Sequence, residues 1–278
     1  VKVCVYGVGL IGGSIASGLA ESGYAETVLG YDANPEHLDI ALRRRLIHGV
    51  LEDLEEGGSV DLWVFAVPPS AVLPVLHEVM PHCSEEASFT DVASTKAGIL
   101  DGVPDPLRPR FVGGHPIAGT ERQGPEAAAC NLFLDRPWVL TPTECTDSRA
   151  LKRVQNMVFA LDAVPVILDA KSHDQHFAML SHIPNALASI LLKLSGTLDQ
   201  PQLAGGSFQD MTRVGGSSPQ LWADILVENR DEVLRTLGLL RAELDDLEES
   251  VRAGDGPAIA RLFQKAAAHR LPPKNENQ

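Results

Sequence analysis

In the stretch FVGGHPIAGTERQG, residues 111–124, one histidine stands at the end of an apolar run. Gly113 and Gly114 come before it, and Pro116 and Gly119 turn the chain away after it. An imidazole accepts a proton near neutral pH, so His115 is a candidate general base. The paired glycines would clear side chains from its approach. Upstream, DVASTK (91–96) offers Ser94, able to hydrogen-bond to His115 or to a substrate hydroxyl, and Lys96, able to pair with Asp91 or with an anion. Downstream, SHIPN (181–185) carries His182, and DMTRVGG (210–216) carries Arg213 just before two glycines. A guanidinium placed there suits a bidentate grip on a carboxylate. His173, His176 and His182 lie near one another in sequence, but Asp174 is the one carboxylate among them, and no metal site is expected. These residue types suit proton transfer on a small anionic molecule.

A second constellation suits a dinucleotide. Gly7, Gly9 and Gly12 form a GxGxxG that follows a strand-like run, VKVCVY, and opens a helix-like one. Gly7 would make the tight turn, Gly9 would admit a pyrophosphate, and Gly12 would let helix and strand pack closely. The backbone N–H groups near Leu10 and Ile11 would face the phosphates at the helix N-terminus. Asp32 follows about 20 residues later, the spacing for an adenosine ribose contact. Its charge would repel a 2′-phosphate, and Arg43, Arg44 and Arg45 read as a solvated helix face, so NAD is expected rather than NADP. Pro68, at the proline break after VDLWVFAV, is a further cofactor-side candidate.

Elements that could position both sets follow from the apolar pattern. Strand-like runs alternate with helices up to about residue 170, and nearly all are apolar throughout, as expected of a parallel sheet covered on both faces. Beyond it the pattern is helical, with a kink expected at Pro184 and one long helix expected from Leu221 to Arg252. In that helix Val233, Leu237, Leu240, Leu244, Leu247 and Val251 make a heptad seam, either an internal packing face or a subunit interface. The fold class expected is therefore α/β, a Rossmann-type doubly wound parallel sheet followed by an all-helical domain. A dinucleotide-binding domain would occupy residues 1–170 and a helical substrate and dimerisation domain residues 171–278, with a homodimer formed through the latter.

Bulk properties narrow the class. A net charge of −14 argues against nucleic acid or an anionic membrane as partner, and an anionic substrate would need local cations. No apolar stretch reaches the ~20 residues that span a bilayer. The four cysteines form no CxxC pair, which suits a reduced, cytoplasmic location.

Taken in order, GVGLIGGS (7–14), DVASTK (91–96), GGHPIAGTE (113–121), SHIPN (181–185) and DMTRVGGSSPQLW (210–222) resemble the prephenate and arogenate dehydrogenases of tyrosine biosynthesis. The resemblance spans nearly the whole chain. It implies an NAD(P)-binding domain followed by a helical dimerisation domain, and NAD-dependent oxidative decarboxylation of the dianion prephenate to 4-hydroxyphenylpyruvate. It implies that His115 takes the ring hydroxyl's proton, Ser94 orients that hydroxyl and the imidazole, His182 lines the pocket near substrate and nicotinamide, and Arg213 binds a substrate carboxylate. Many family members carry Arg or Lys where this chain has Gln209, and Lys96 is the candidate replacement. Arogenate is the alternative substrate; a carboxylate near the substrate's amino group would favour it, and Glu121 is the candidate. A β-hydroxyacid or imine oxidoreductase of the same two-domain plan is a third reading. Neither a fused chorismate mutase segment nor a regulatory domain is expected, so any feedback by tyrosine would act at the active site.

Overall fold

A computed structural model describes residues 1–119, 122–216 and 218–269. The first part comprises, in chain order, β1 (Lys2–Tyr6), α1 (Leu10–Glu21), β2 (Thr27–Tyr31), α2 (Pro35–Arg43), β3 (Gly49–Val50), β4 (Leu62–Phe65), α3 (Pro69–Val79), β5 (Ser88–Asp91), α4 (Ala97–Gly102), β6 (Phe111–Pro116), β7 (Pro137–Thr141), α5 (Ser148–Ala160) and β8 (Val164–Ile167). The strands form a single sheet in the order β3-β2-β1-β4-β5-β6-β7-β8. β4, β5 and β6 are buried along their whole length, and alternate residues feed two cores. Val3, Val5 and Val64 face Ile15, Leu19 and Val158 on one side. Cys4, Trp63, Phe65 and Phe89 face Leu76 and Val79 on the other. Covering helices on both faces explain why the strands carry unbroken apolar runs.

Two features depart from the expected sheet. β7 runs antiparallel to β6, and β8 pairs parallel with β7, so the last two strands oppose the rest. No α-helix crosses over among the described residues between Pro116 and Pro137, so β7 starts from the edge where β6 ended. The intervening chain is held at that edge instead. Arg44 donates to the carbonyls of Pro125 and Ala128, and the Ala129 N–H donates to Ser14 Oγ at 3.0 Å. Arg44 is thus a bracket between α2 and this segment, rather than part of a purely solvated face. The second departure is β3, a two-residue edge strand that the apolar pattern does not mark. α2 ends at Arg43 because Arg45 takes a left-handed conformation, φ 57°, which drops Leu46 and Ile47 into the core.

The second part comprises α6 (Ala170–Phe177), α7 (Ile183–Ser195), α8 (Gly206–Thr212), α9 (Pro219–Glu228), α10 (Arg230–Ala253) and α11 (Gly256–Ala268). A π-helical turn, Ala178–His182, joins α6 to α7. Pro184 has no N–H to donate to the preceding turn, and the backbone widens just before it instead of breaking. The resulting continuous helix, Ala170–Ser195, is long and apolar enough by length and composition to cross a membrane, with 28% of its most apolar window buried. The sequence shows no unbroken apolar stretch of that length, because Ser181, His182, Asn185 and Lys193 interrupt it. The long helix expected from 221 to 252 is two helices that meet at Asn229, whose side chain is drawn inward. The heptad seam divides likewise. Val233 is buried with Leu237 and Leu240 packed beside it, whereas Leu244 and Val251 are exposed.

Candidate active site

The glycine turn has the form its spacing implies. Gly7 sits at φ 93°, and a Cβ there would strike the Ala66 carbonyl oxygen at 2.4 Å. A Cβ on Gly12 would lie 1.8 Å from the Gly7 oxygen, so this glycine is what lets α1 approach β1. Gly9 differs: nothing lies within 4 Å of its would-be Cβ. It caps α1 without a side-chain hydrogen bond, leaving the first N–H groups, at Leu10 and Ile11 among them, directed at open space. Asp32 ends β2 beside this turn, where Oδ2 accepts the Val8 N–H at 2.8 Å and Oδ1 accepts the Asn34 N–H at 2.8 Å. His37 Nδ1 stands 3.4 Å from the same carboxylate. Pro68 is exposed at the carboxyl end of β4, the strand beside β1. An open glycine, free helix N–H groups and an anchored carboxylate fit a dinucleotide.

At the same edge β6 delivers His115, which is 8% exposed. Its ring packs against His173 and Phe177, with centroids 5.0 and 4.5 Å away. Nδ1 lies 2.8 Å from His173 Nε2, and His173 Nδ1 lies 2.7 Å from Asp174 Oδ1. The Asp174 carboxylate also accepts the backbone N–H of Lys96 at 2.9 Å and of Ala97 at 2.8 Å, tying α6 to the start of α4. Nε2 of His115 makes no hydrogen bond among the described residues. Burial holds the His115 pKa well below the ordinary histidine value, reinforced by the nearby His173, Lys96 and His182. Burial lowers His173 as well, against the opposing pull of Asp174. Burial acts to raise Asp174, but hydrogen bonds from His173 and the two backbone N–H groups outweigh it and hold its pKa down.

His182 closes the π turn and is fully buried. Its Nδ1 lies 3.1 Å from Asn229 Nδ2, which also donates to the Asp174 carbonyl at 2.8 Å. Its Nε2 is buried without a hydrogen-bond partner among the described residues, although the Ser94 backbone favours its charged form. Burial brings its pKa down to about 4. Trp222 of α9 meets the ring edge-on at 6.3 Å.

Several expected placements need correction. Of the two partners open to Ser94, His115 is not one among the described residues; His115 Nδ1 pairs with His173 Nε2. Lys96 is wholly buried, with its ammonium paired to Asp91, so it does not stand in for the cation missing at Gln209. Gln209 itself is exposed, donating to the Ala204 carbonyl at 3.1 Å. Gly113 and Gly114 make room for scaffold rather than ligand. A Cβ on Gly113 would strike Thr141 Oγ1 at 2.2 Å, and one on Gly114 the Asp91 carbonyl oxygen at 2.5 Å. Glu121 lies outside the described residues.

Arg213 is exposed at the start of a 3-10 turn, Arg213–Gly216, that α7 clamps. Asn185 donates to the Val214 carbonyl at 2.8 Å and Ser189 to the Gly215 carbonyl at 3.3 Å. The turn is therefore held in place, and the Arg213 side chain is exposed with no ion pair among the described residues. A cavity of about 410 Å³ is lined by Asp174, Asn229, Gly98, Lys171 and Arg230 but by neither His115 nor His182, so it lies behind this constellation. His173, Asp174 and Asn229 went unrecognised in the sequence as site residues. The adjacent His173-Asp174 pair was the available signal, at the start of the helix that leaves the sheet.

The nucleotide-binding domain of prephenate dehydrogenase matches residues 15–167, and the prephenate dehydrogenase dimerization domain matches residues 169–265. Prephenate dehydrogenase of Bacillus subtilis (strain 168) is 31% identical over 280 residues, covering 96% of this chain and 75% of that protein. The structure of prephenate dehydrogenase from A. aeolicus in complex with hydroxyphenyl propionate and NAD+ superposes with a TM-score of 0.89 at 31% identity, over 96% of each chain. Synechocystis arogenate dehydrogenase superposes with a TM-score of 0.83 at 31% identity, over 96% of this chain and 98% of that one.

Proposed function

The chain belongs to the prephenate dehydrogenase family, and we propose that it oxidatively decarboxylates prephenate to 4-hydroxyphenylpyruvate with NAD in preference to NADP. The observation that carries this reading is His115, kept neutral by burial and with Nε2 unpartnered among the described residues, at the sheet edge that also bears the glycine turn. When bound, the nicotinamide supplies a hydride acceptor. The glycine turn and the first N–H groups of α1 would hold the pyrophosphate, and the Asp32 carboxylate the ribose diol. A 2′-phosphate would meet that carboxylate at close range, which supports the preference for NAD. The NAD complex of the A. aeolicus enzyme supports it too.

The residues of the chain account for the rest of the chemistry. His115 Nε2 accepts the ring hydroxyl proton as the carbinol C–H departs as hydride. The bond to the ring carboxylate then breaks, its electron pair completes the aromatic ring, and CO₂ leaves. Arg213 engages a substrate carboxylate and Ser94 the reacting hydroxyl, while His182 lines the cleft. Lys96 acts through Asp91 as scaffold.

Functional units are placed at residues 1–170 and 171–278. Among the described residues the helical unit clusters Ala178, Ile183 and Val233 as a small core and also buries Ala188 and Ile225, while Met179, Leu180, Ile190 and Leu194 are exposed. A homodimer that covers this face accounts for the apolar surface of the Ala170–Ser195 helix better than a bilayer does, given the charge of the rest of the chain. The free cysteines support a cytoplasmic enzyme.

The test is NADH or NADPH formation by purified protein with prephenate and with arogenate. Turnover of prephenate with NAD is expected; a kcat/KM higher for arogenate would reassign the substrate, and no turnover of either would overturn the reading.

A further inference from the structure

Two imidazoles of this site, His115 and His182, belong to hydrogen-bond chains that share one residue. The Asp174 carboxylate takes two backbone N–H groups and His173 Nδ1; the Asp174 carbonyl takes Asn229 Nδ2. We propose that Asp174 sets opposite tautomers on the two histidines, through His173 for His115 and through Asn229 for His182, so that His115 presents a bare Nε2 and His182 an Nε2–H.

The assignment follows from donor and acceptor counting. An ionised carboxylate only accepts, so the proton of His173 is on Nδ1. A neutral His173 then has a lone pair at Nε2, and the 2.8 Å contact obliges His115 Nδ1 to donate. A neutral His115 has no second proton, and its Nε2 is the basic atom. For His182 the logic runs in reverse. An amide nitrogen donates to the Asp174 carbonyl and has one N–H left, directed at His182 Nδ1, 3.1 Å away. That nitrogen must accept, so the proton of neutral His182 is on Nε2, the buried atom that lacks a partner. An Nε2–H there agrees with the Ser94 backbone beside the ring, which favours a donating nitrogen.

The two rings therefore have separate tasks. His115 receives the hydroxyl proton, and the positive charge formed on it is stabilised through His173 by the Asp174 carboxylate. His182 keeps its proton on Nε2, beside the Ser94 backbone, and takes none from the substrate. The groups around His115 agree with this division: His173 and His182 from the helical unit and Lys96 from the sheet side oppose its protonation, and Asp91 neutralises Lys96. Asp174 and His173 are positioning residues, since they act through His115.

The inference draws on the proposed function only for which proton moves; the tautomers are read without substrate. Histidine-¹⁵N-labelled protein would be examined by long-range proton–nitrogen correlation near neutral pH, with His115→Asn and His182→Asn used to assign the two rings. Opposite tautomers are expected, with Nδ1–H on His115 and Nε2–H on His182. Finding the same tautomer on both, or the reverse pair, overturns the proposal whatever the enzyme turns over. A kinetic arm compares His173→Phe, which keeps a ring but cannot accept, with His173→Gln, which can. His173→Phe should lower kcat about 10–10³-fold, within the range general-base catalysis spans, with little change in KM and an altered acidic limb of kcat. His173→Gln should recover at least about tenfold of that loss. Equal loss in both variants, with an unaltered pH profile, would show that His173 serves packing alone.

Discussion

The two halves of the chain solve the burial problem differently. The sheet unit buries its apolar residues between its own layers, with Trp63, Phe65, Phe89, Phe111 and Trp138 fully enclosed. The helical unit encloses Ala178, Ile183 and Val233 and leaves Leu180, Ile190, Leu194 and Leu244 in the open. Each fully buried Leu or Phe contributes about 1.5–3 kcal/mol, so the first unit has the means to stand alone and the second does not. The site is built across this difference. His115, the proposed base, and Ser94 come from the sheet unit, and the groups proposed to orient that base and to bind a substrate carboxylate, His173, Asp174 and Arg213, come from the helical unit. Positioning contacts such as Asp174 to the Lys96 and Ala97 N–H groups are thus also what hold the helical unit to the sheet.

The contrast can be tested first at its chemical end. His115→Asn should lower kcat by about 10²–10⁴-fold, as loss of a general base does. Dinucleotide affinity, followed by fluorescence titration, should stay unchanged, because the glycine turn lies elsewhere on the same edge. Arg213→Ala should leave kcat nearly intact and raise KM for the dianion by about 10–150-fold, the worth of a charge-assisted hydrogen bond of about 1.5–3 kcal/mol. A fall in kcat without a rise in KM would remove Arg213 from the substrate's carboxylate.

Next comes assembly. Ile190→Asp with Leu194→Asp, adjacent on one face of α7, should convert a dimer to monomer in light scattering and make the helical unit melt ahead of the sheet unit. If the variant remains a dimer with unaltered melting, that apolar face is not the interface.

The glycines sharpen the comparison within the rigid unit. Gly113→Ala should cost about 1–3 kcal/mol of stability, since its methyl meets Thr141 Oγ1 in a packed core. Gly9→Ala should change stability by less than about 0.5 kcal/mol, because nothing stands near its Cβ, while weakening dinucleotide binding. Equal destabilisation by both would contradict the assignment of Gly9 to ligand and Gly113 to scaffold.

What was legible in the sequence divides along the same line. The glycine turn could be read because the constraints on Gly7 and Gly12 are local: a left-handed φ and a backbone contact five residues apart. The place of His115 at the end of β6 could be read from the punctuation around it, but Gly113 and Gly114 suggested an approach for ligand when they in fact admit Thr141, Lys96 and the Asp91 carbonyl. The reversal of β7 has no signature in apolar periodicity, which is the same for either direction. Asp174 and Asn229 were hidden because their partners lie across the domain junction. Asn229 sits between two good helical patterns, and only its inward hydrogen bonds to Asp174 and His182 give a reason for the break.

The smallest effect concerns the seam between the units. His182, His173 and His115 are all kept neutral there by burial, with the pKa of His182 brought down to about 4. In the unfolded chain each would protonate near 6.5. Below that pH the unfolded state binds more protons, so stability present above about 6.5 is lost as the pH falls through the folded-state values. For His182 the window runs from about 6.5 down to about 4. Asp174, lowered in the folded state, acts in a separate window that opens only below its unfolded value of about 3.9. Melting temperature should therefore decline between about pH 7 and pH 4.5 by a few degrees, at about 2–4 °C per kcal/mol for a chain of this size. His182→Gln cannot protonate and should flatten part of that decline, whereas substitution of the exposed His176 should not. Equal slopes in the two variants would mean that acid acts on the molecule at large, and the histidine seam would lose its place as the point where the two units part.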